Sequence, residues 1–375
     1  MNTAATASPS ELVLAERTAG GMGLITLNRP KALNALSLEM VRAITWVMRD
    51  WQHDASVKAV AIRGMGKVEG GFAPFGAFCA GGDIRFFHQA ALAGDDALEA
   101  FFTEEYALNH LIHTYGKPYI AFMDGIVMGG GMGLSQGASL RVVTERSKMA
   151  MPETRIGLFP DVGGGYFLSR LPGHLGEYLA LTGHLLKGDE AVAAGLADGA
   201  ADVARLPALW QHLADTAWSD GQAVQRWLKA ELQQPAQDRL AHLGEINRFF
   251  GLPNVAAIVS ALEASDSAWA RDTAAELRTR SPLMLHVTLE QVRRARSMPL
   301  GDELRMERDL VHHCFHLRGA QTSETVEGIR ALAVDKDHSP RWSPARIEDI
   351  GADEVQAYFA SPWAAAQHPL AGLAN

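Results

Sequence analysis

The stretch "VMGGGMGLSQGASLRVVTERSKMAMPETRIGLFPDVGGGYF" (127–167) passes from a strand-like end through three glycines into a helical pattern. It then crosses two short apolar runs to reach a pair of isolated acids. Consecutive glycines let backbone approach a neighbour closely, and at a helix start they leave N–H groups pointing outward. "LRVVTE" and "SKMAM" read as short strands. Beyond them Glu153 and Asp161 stand among Phe159, Phe167 and glycines, where an acid gains nothing from packing. A site carried on an α/β core is the expectation.

Upstream, "ELVLAER" (11–17) and "GLITLN" (23–28), joined by "TAGGM", read as two strands. "SLEMVRAITWVMRDW" sets Leu38, Val41, Thr45, Met48 and Trp51 at helical spacing, with Ser37 as N-cap and Glu39 in the first turn. "KAVAIRG" (58–64) is a buried strand, and "GKVEGGFAPFGAFCAGGD" (66–83) reads as a glycine-rich loop before the helical "IRFFHQAAL". A second helix over 99–115 leads into the strand "PYIAFMDG" (118–125). Repeated β-β-α units with parallel returns imply an α/β core with helices on its faces. After about residue 170 the pattern turns helical, so the sequence suggests a core over 11–204 and a mainly helical C-terminal region over 205–375. Within that region "VDKDHSPRWSPARIEDI" (334–350) reads as extended chain before a short terminal helix.

Composition narrows the function. With 47% hydrophobic and 21% charged residues, the 375-residue chain has the balance of a globular protein with a sizeable core. A net charge of -9 disfavours nucleic acid, and no apolar run is long enough to span a membrane. The first sixteen residues lack Lys and Arg, which argues against a leader, so a cytoplasmic protein is the expectation. Cys79 and Cys314 belong to no paired motif and suggest no disulfide framework.

"FCAGGDI", "MGGGMGL" and "MPETRIGLFPDVGGGYFLSRL", in this order and spacing, resemble the crotonase (enoyl-CoA hydratase/isomerase) superfamily. "EEYALN", "LALTG" with "LKGDE", and "DKDHSPRW" draw the likeness toward its acyl-CoA hydrolases and carry it almost to the C-terminus. The resemblance implies a crotonase-like spiral of β-β-α units with a helical C-terminal region. It also implies an oxyanion hole from the backbone N–H groups of Gly82 and Gly130, with Gly81 and Asp83 among the substrate-binding positions, and Arg29 in "NRPKA" is a candidate for contact with the CoA phosphates. The implied substrate is an acyl-CoA: 3-hydroxyisobutyryl-CoA, an intermediate of valine breakdown, with 3-hydroxypropionyl-CoA as a second. No cofactor is implied, because CoA belongs to the substrate, and a homo-oligomer is compatible with the superfamily.

Hydratases of the superfamily add water with two glutamates, one shortly after the triple glycine and one in the later "PE" segment. Here the first position is Gly133 and the second is Glu153. Asp161, eight residues on, stands where hydratases usually carry glycine, which is the hydrolase-like pattern. Thioester hydrolysis needs an attacking oxygen, a stabilised oxyanion and a thiolate leaving group that requires little acid help. Glu153 is expected to act as base or nucleophile, with Asp161 orienting water or the substrate hydroxyl and Glu105 contacting that hydroxyl. Two alternatives remain: an enoyl-CoA hydratase or isomerase, and a non-catalytic acyl-CoA-binding protein.

Other motifs have ordinary readings. His312 and His316 in "HHCFH" share a helix face, but Cys314 lies off it and no further ligand motif follows, so no metal is expected. Ser135 in "GLSQG" fits the five-letter nucleophile-elbow pattern, yet it falls inside the glycine helix rather than on a strand-to-helix turn.

Overall fold

The computed structural model describes residues 10–235 and 239–374. In chain order the strands are β1 Val13–Arg17, β2 Met22–Leu27, β3 Ala59–Val68, β4 Gly71–Gly76, β5 Tyr119–Met123, β6 Ile126–Met128, β7 Leu140–Val143, β8 Lys148–Ala150, β9 Leu186–Lys187 and β10 Gly199–Ala200. Helices α1 Leu38–His53, α2 Ile84–Ala93, α3 Ala97–His113, α4 Gly130–Gln136, α5 Gly164–Ser169, α6 Leu175–Thr182 and α7 Gly188–Ala194 are interspersed with them. Among the described residues nine further helices follow, from α8 Leu206–Asp215 and α9 Gly221–Glu231 to α16 Ala352–Tyr358.

The described residues pack into two compact units that interleave along the sequence: those within 1–82, 108–149 and 185–240 form one, and those within 83–107, 150–184 and 241–375 the other. The division near residue 205 follows a change of pattern, whereas the packed units follow which segments share a core.

In the first unit β1-β2-β3-β5-β7-β10 form one sheet, with β4 joined to β3. β1 and β2 are antiparallel, and β2, β3, β5, β7 and β10 run parallel, as the β-β-α reading expected. The "GKVEGGFAPFG" part of the expected loop is instead a hairpin: β3 continues to Val68, turns at Gly70 (φ 78°) and returns antiparallel as β4. Gly and Pro thin the apolar signal there, while Phe75 still anchors the return strand in the core. Phe75 and Phe122 each meet Trp210 edge to face and lie tilted against one another, with ring centroids 5.5–6.2 Å apart, and α8 and α9 add Leu206, Leu209, Leu213, Val224 and Leu228 to the same face.

Helix α1 begins as the sequence predicts, with the Ser37 hydroxyl accepting from the Met40 N–H at 3.3 Å and Val41, Met48 and Trp51 buried. Just before it, Leu33 and Asn34 both adopt left-handed backbone (φ 51° and 55°). The buried Asn34 side chain fixes this turn: it accepts from the Arg29 N–H (2.8 Å) and donates to the carbonyls of Met65 (2.9 Å) and Ala77 (2.7 Å). The turn in turn holds the first glycine segment, through Ala80 N–H to Leu33 O (3.0 Å) and Leu36 N–H to Gly81 O (2.8 Å).

Removing the Asn34 side chain strands two buried carbonyls and an N–H, at roughly 1 kcal/mol or more each. Asn34→Ala is therefore expected to lower unfolding free energy by about 3 kcal/mol. Urea titration followed by far-UV circular dichroism checks this, and a loss below about 1 kcal/mol would remove Asn34 from that role.

Candidate active site

The two glycine segments of the first unit lie side by side. Cys79 N–H donates to Ile126 O (2.9 Å) and Met128 N–H to Cys79 O (3.0 Å), so "CAG" runs parallel to β6. Only glycine fits at Gly131, where a Cβ would come within 2.4 Å of the Cys79 carbonyl oxygen. Gly81 is left-handed (φ 102°), and a Cβ there would sit 3.8 Å from the Gly130 nitrogen. Gly130 opens α4, so its N–H has no carbonyl inside the helix to bond. Gly82 forms a parallel bridge with Leu36. Cys79 is fully buried beside these turns, as a small core residue.

Arg29, read from sequence as a CoA contact, donates through Nη1 to the Ala35 carbonyl at 2.9 Å and so braces its own turn. Ser135 is buried and donates to Gly131 O (2.9 Å) and Met132 O (3.2 Å). A hydroxyl bonded back along its own helix is not presented as a nucleophile.

The acids belong to the second unit. Asp83 caps α2 by accepting from the Phe86 N–H at 3.4 Å. Glu105 lies on α3 and is buried, not on the solvated face that its neighbour Glu104 would suggest, and its Oε1 has no hydrogen-bond partner among the described residues. Glu153 opens a short 3-10 helix, Glu153–Ile156, directly after Pro152. Thr154 pins that turn: its hydroxyl donates to Leu181 O (3.0 Å) and its carbonyl accepts from the Ser281 N–H (3.2 Å). Glu153 is buried, and its Oε2 lacks a partner among the described residues. Asp161 is buried as well and accepts from the Tyr106 hydroxyl at 2.9 Å. Gly163, not Asp161, is the N-cap of α5, so the Asp161 carboxyl is not spent on capping.

Burial, reinforced by mutual repulsion, governs the protonation of these groups. Desolvation and then the charges of Asp161, Glu153 and Glu307 drive the Glu105 carboxyl well above the usual range, and desolvation and Asp161 do the same to Glu153. Asp161 is pushed up to about 7 by burial and by Glu307, against the Tyr106 hydrogen bond that favours its ionised form. The set therefore carries fewer charges than carboxyls near neutral pH, and members of one coupled cluster can hold or release protons. Aromatic rings make the surroundings apolar: Phe87 lies 4.8 Å from Phe101 and 4.9 Å from Phe102, and Phe102 in turn meets Tyr106 and Phe315.

Sequence reading missed four members of this environment: Tyr106, Gln291, Glu303 and Glu307. Helix Leu300–His316 (α14) buries Glu303 and Glu307 completely, one turn apart. Their signal was present, because Leu300, Glu303, Leu304, Glu307 and Val311 fall on the apolar stripe of "LGDELRMERDLV". Glu307 accepts from the N–H groups of Gly163 (2.7 Å) and Gly165 (3.1 Å) and from Gln291 Nε2 (3.0 Å). Between Asp161 and Gly163, Val162 is left-handed (φ 58°), which costs a β-branched residue about 1–2 kcal/mol.

His312 and His316 do share a helix face, and Glu99 meets both: His312 Nδ1 lies 3.2 Å and His316 Nε2 2.8 Å from its oxygens. Arg308 pairs with the same carboxylate. Although burial opposes ionisation, these three partners hold Glu99 ionised far below the usual carboxylate range. Cys314 faces elsewhere, its Sγ 3.8 Å from Met284 Sδ. The cluster is an ion-pair knot joining α3 to α14, its carboxylate already matched by a guanidinium.

The enoyl-CoA hydratase/isomerase family model matches residues 22–359. The chain belongs to that family. It is 43% identical over 349 residues to the mitochondrial 3-hydroxyisobutyryl-CoA hydrolase of Xenopus tropicalis, covering 92% of this chain and 87% of the relative. Among solved structures it is similar to a carnitinyl-CoA dehydratase from Mycobacterium thermoresistibile (TM-score 0.84, 39% identity, 94% of this chain and 97% of the other). It is also similar to an enoyl-CoA hydratase from Rhodobacter sphaeroides (TM-score 0.82, 37% identity, 94% and 98%). The expected crotonase-like fold is thus shared over nearly the whole chain. The cytoplasmic expectation is corrected by the Xenopus relative, whose name places it in mitochondria. That expectation rested on the composition of residues 1–16, of which 1–9 lie outside the described residues, and an organelle address leaves no mark on a folded enzyme's core.

An acid whose folded pKa lies above its unfolded value binds more protons folded than unfolded, so its contribution favours folding at low pH and is lost as pH rises. For Asp161 the window runs from about 4, its unfolded value, to about 7. Asp161→Asn removes this penalty, and the amide oxygen can still accept from Tyr106. Its melting temperature relative to wild type is expected to rise by a few degrees between pH 5.5 and pH 8. Calorimetry at the two pH values decides it, and a constant difference would show that Asp161 ionises normally.

Proposed function

We propose that the chain hydrolyses the thioester of 3-hydroxyisobutyryl-CoA, releasing 3-hydroxyisobutyrate and CoA, with 3-hydroxypropionyl-CoA as a second substrate; the physiological setting would be valine breakdown. The observation that carries this reading is the buried pair Glu153 and Asp161, combined with Gly133 in α4 where the superfamily's hydratases hold their first glutamate. The name of the Xenopus relative supports it across most of the chain. The hydratase and dehydratase titles of the two solved structures mark the same fold, but that chemistry calls on a second acid which Gly133 does not supply.

In this reading the N–H groups of Gly82 and Gly130 stabilise negative charge on the thioester oxygen. Glu153 acts on the carbonyl carbon in one of two ways. As a general base it takes a proton from water while the new C–O bond forms. As a nucleophile it forms a mixed anhydride that water then opens. On either route the C–S bond breaks and the thiolate leaves, taking up a proton afterwards. Asp161, held by Tyr106, orients water or the 3-hydroxyl, and Glu105 contacts that hydroxyl. Water and protein groups suffice, with CoA entering as part of the substrate.

The purified protein is expected to release thiol from 3-hydroxyisobutyryl-CoA and to leave the enoyl absorbance of crotonyl-CoA unchanged. Glu153→Gln is expected to lower kcat at least 100-fold, with KM within about threefold of wild type. Enoyl loss without thiol release would overturn the reading in favour of a hydratase; tight CoA-ester binding with neither reaction would favour a binding protein.

A further inference from the structure

The residues around Asp161 are gripped on both sides by one pair of side chains. Before it, the Pro160 carbonyl accepts from Gln291 Nε2 at 2.7 Å. After it, the N–H groups of Gly163 and Gly165 donate to the two oxygens of Glu307, at 2.7 and 3.1 Å. Gln291 Nε2 also donates to Glu307 at 3.0 Å, tying the two grips together. Both side chains are fully buried, on helices Pro282–Ala295 (α13) and α14.

The gripped segment is one that would not hold its shape alone. Val162 is β-branched and left-handed (φ 58°), and Gly163 follows it in the same region (φ 85°). Gly165 is glycine because a Cβ there would lie 2.4 Å from Glu303 Oε1 and 3.1 Å from Gln291 Nε2, so the loop presses directly onto α13 and α14. Burying a carboxyl group is costly unless it gains hydrogen bonds, and Glu307 gains three, two from this loop and one from Gln291. Strain of this kind persists only where the surroundings over-determine it.

We propose that Glu307 and Gln291 are positioning residues that clamp the strained Pro160–Gly165 turn and thereby set the direction of the Asp161 carboxyl. Neither is a catalytic residue: each acts through the backbone beside Asp161. The inference rests on the hydrolase reading for its kinetic consequence, but the clamp itself is readable without activity.

The test uses Glu307→Gln, which swaps one oxygen for an amide group that cannot accept, and Val162→Gly, which lets residue 162 adopt the left-handed region without strain. Hydrogen exchange, resolved to the peptide spanning Asp161–Tyr166, is expected to quicken at least tenfold in Glu307→Gln. Thiol release is expected to fall at least tenfold in kcat, with KM within threefold. Adding Val162→Gly to Glu307→Gln is expected to restore kcat at least threefold, because the turn then needs less holding; a role in general packing predicts no such rescue. Should Glu307→Gln fail to fold, Gln291→Met keeps the side-chain volume, removes the grip on Pro160 and carries the same comparison. Wild-type exchange and kcat in the single variant, or no gain from Val162→Gly, overturns the proposal. If the wild-type protein releases no thiol from either hydroxyacyl-CoA, the hydrolase reading fails, while unchanged exchange still overturns the clamp and quickened exchange still supports it.

Discussion

Burying carboxyl groups among aromatic rings is the constraint on which the second unit turns. A carboxylate moved from water into such surroundings loses solvation that only hydrogen bonds, a cation or a retained proton can replace. Glu307 combines hydrogen bonds from Gly163, Gly165 and Gln291 with the third course, since burial and Glu303 push it well above the usual range, and Glu99 takes the second through Arg308. Glu105 and Glu153 each leave an oxygen without a partner among the described residues, and burial raises both well above the usual carboxylate range, so they lean toward the third and give up a proton less readily than a free acid. Asp161, with one phenolic donor and a pKa near 7, lies between these courses and is poised to change state near neutral pH.

The first unit solves a different problem with simpler means. Its parallel strands bring "CAGG" and "MGGG" together by ordinary sheet pairing, and glycine is demanded by close approach at Gly131 and by left-handed backbone at Gly81. Asn34 supplies the rigidity that glycines cannot, because its three hydrogen bonds fix the turn that carries Gly81. Flexible residues set the backbone, and a buried polar side chain removes the freedom they would otherwise confer.

Much of this was legible in the chain. The cap at Ser37, the apolar stripe of α1, the parallel strands and the two glycine segments all follow from local pattern, because each depends on residues within a few positions of one another. The β3–β4 hairpin was not legible, since Gly70, Gly71 and Pro74 mask a strand that exists through its pairing with β3. Glu105 was legible only through the family resemblance. Beside Glu104 it looks like one of two solvated acids, and only the helix's packing separates their fates.

The sequence by itself determined the fold class and the glycine turns and singled out Glu153 and Asp161 as acids set among apolar residues, because residue type and spacing carry that information locally. Only the tertiary structure decided which carboxyls share an environment, since Tyr106, Gln291, Glu303 and Glu307 reach Asp161 and its turn from distant points of the chain. It decided their protonation too, because a pKa depends on what surrounds a group in space and not on its neighbours in sequence.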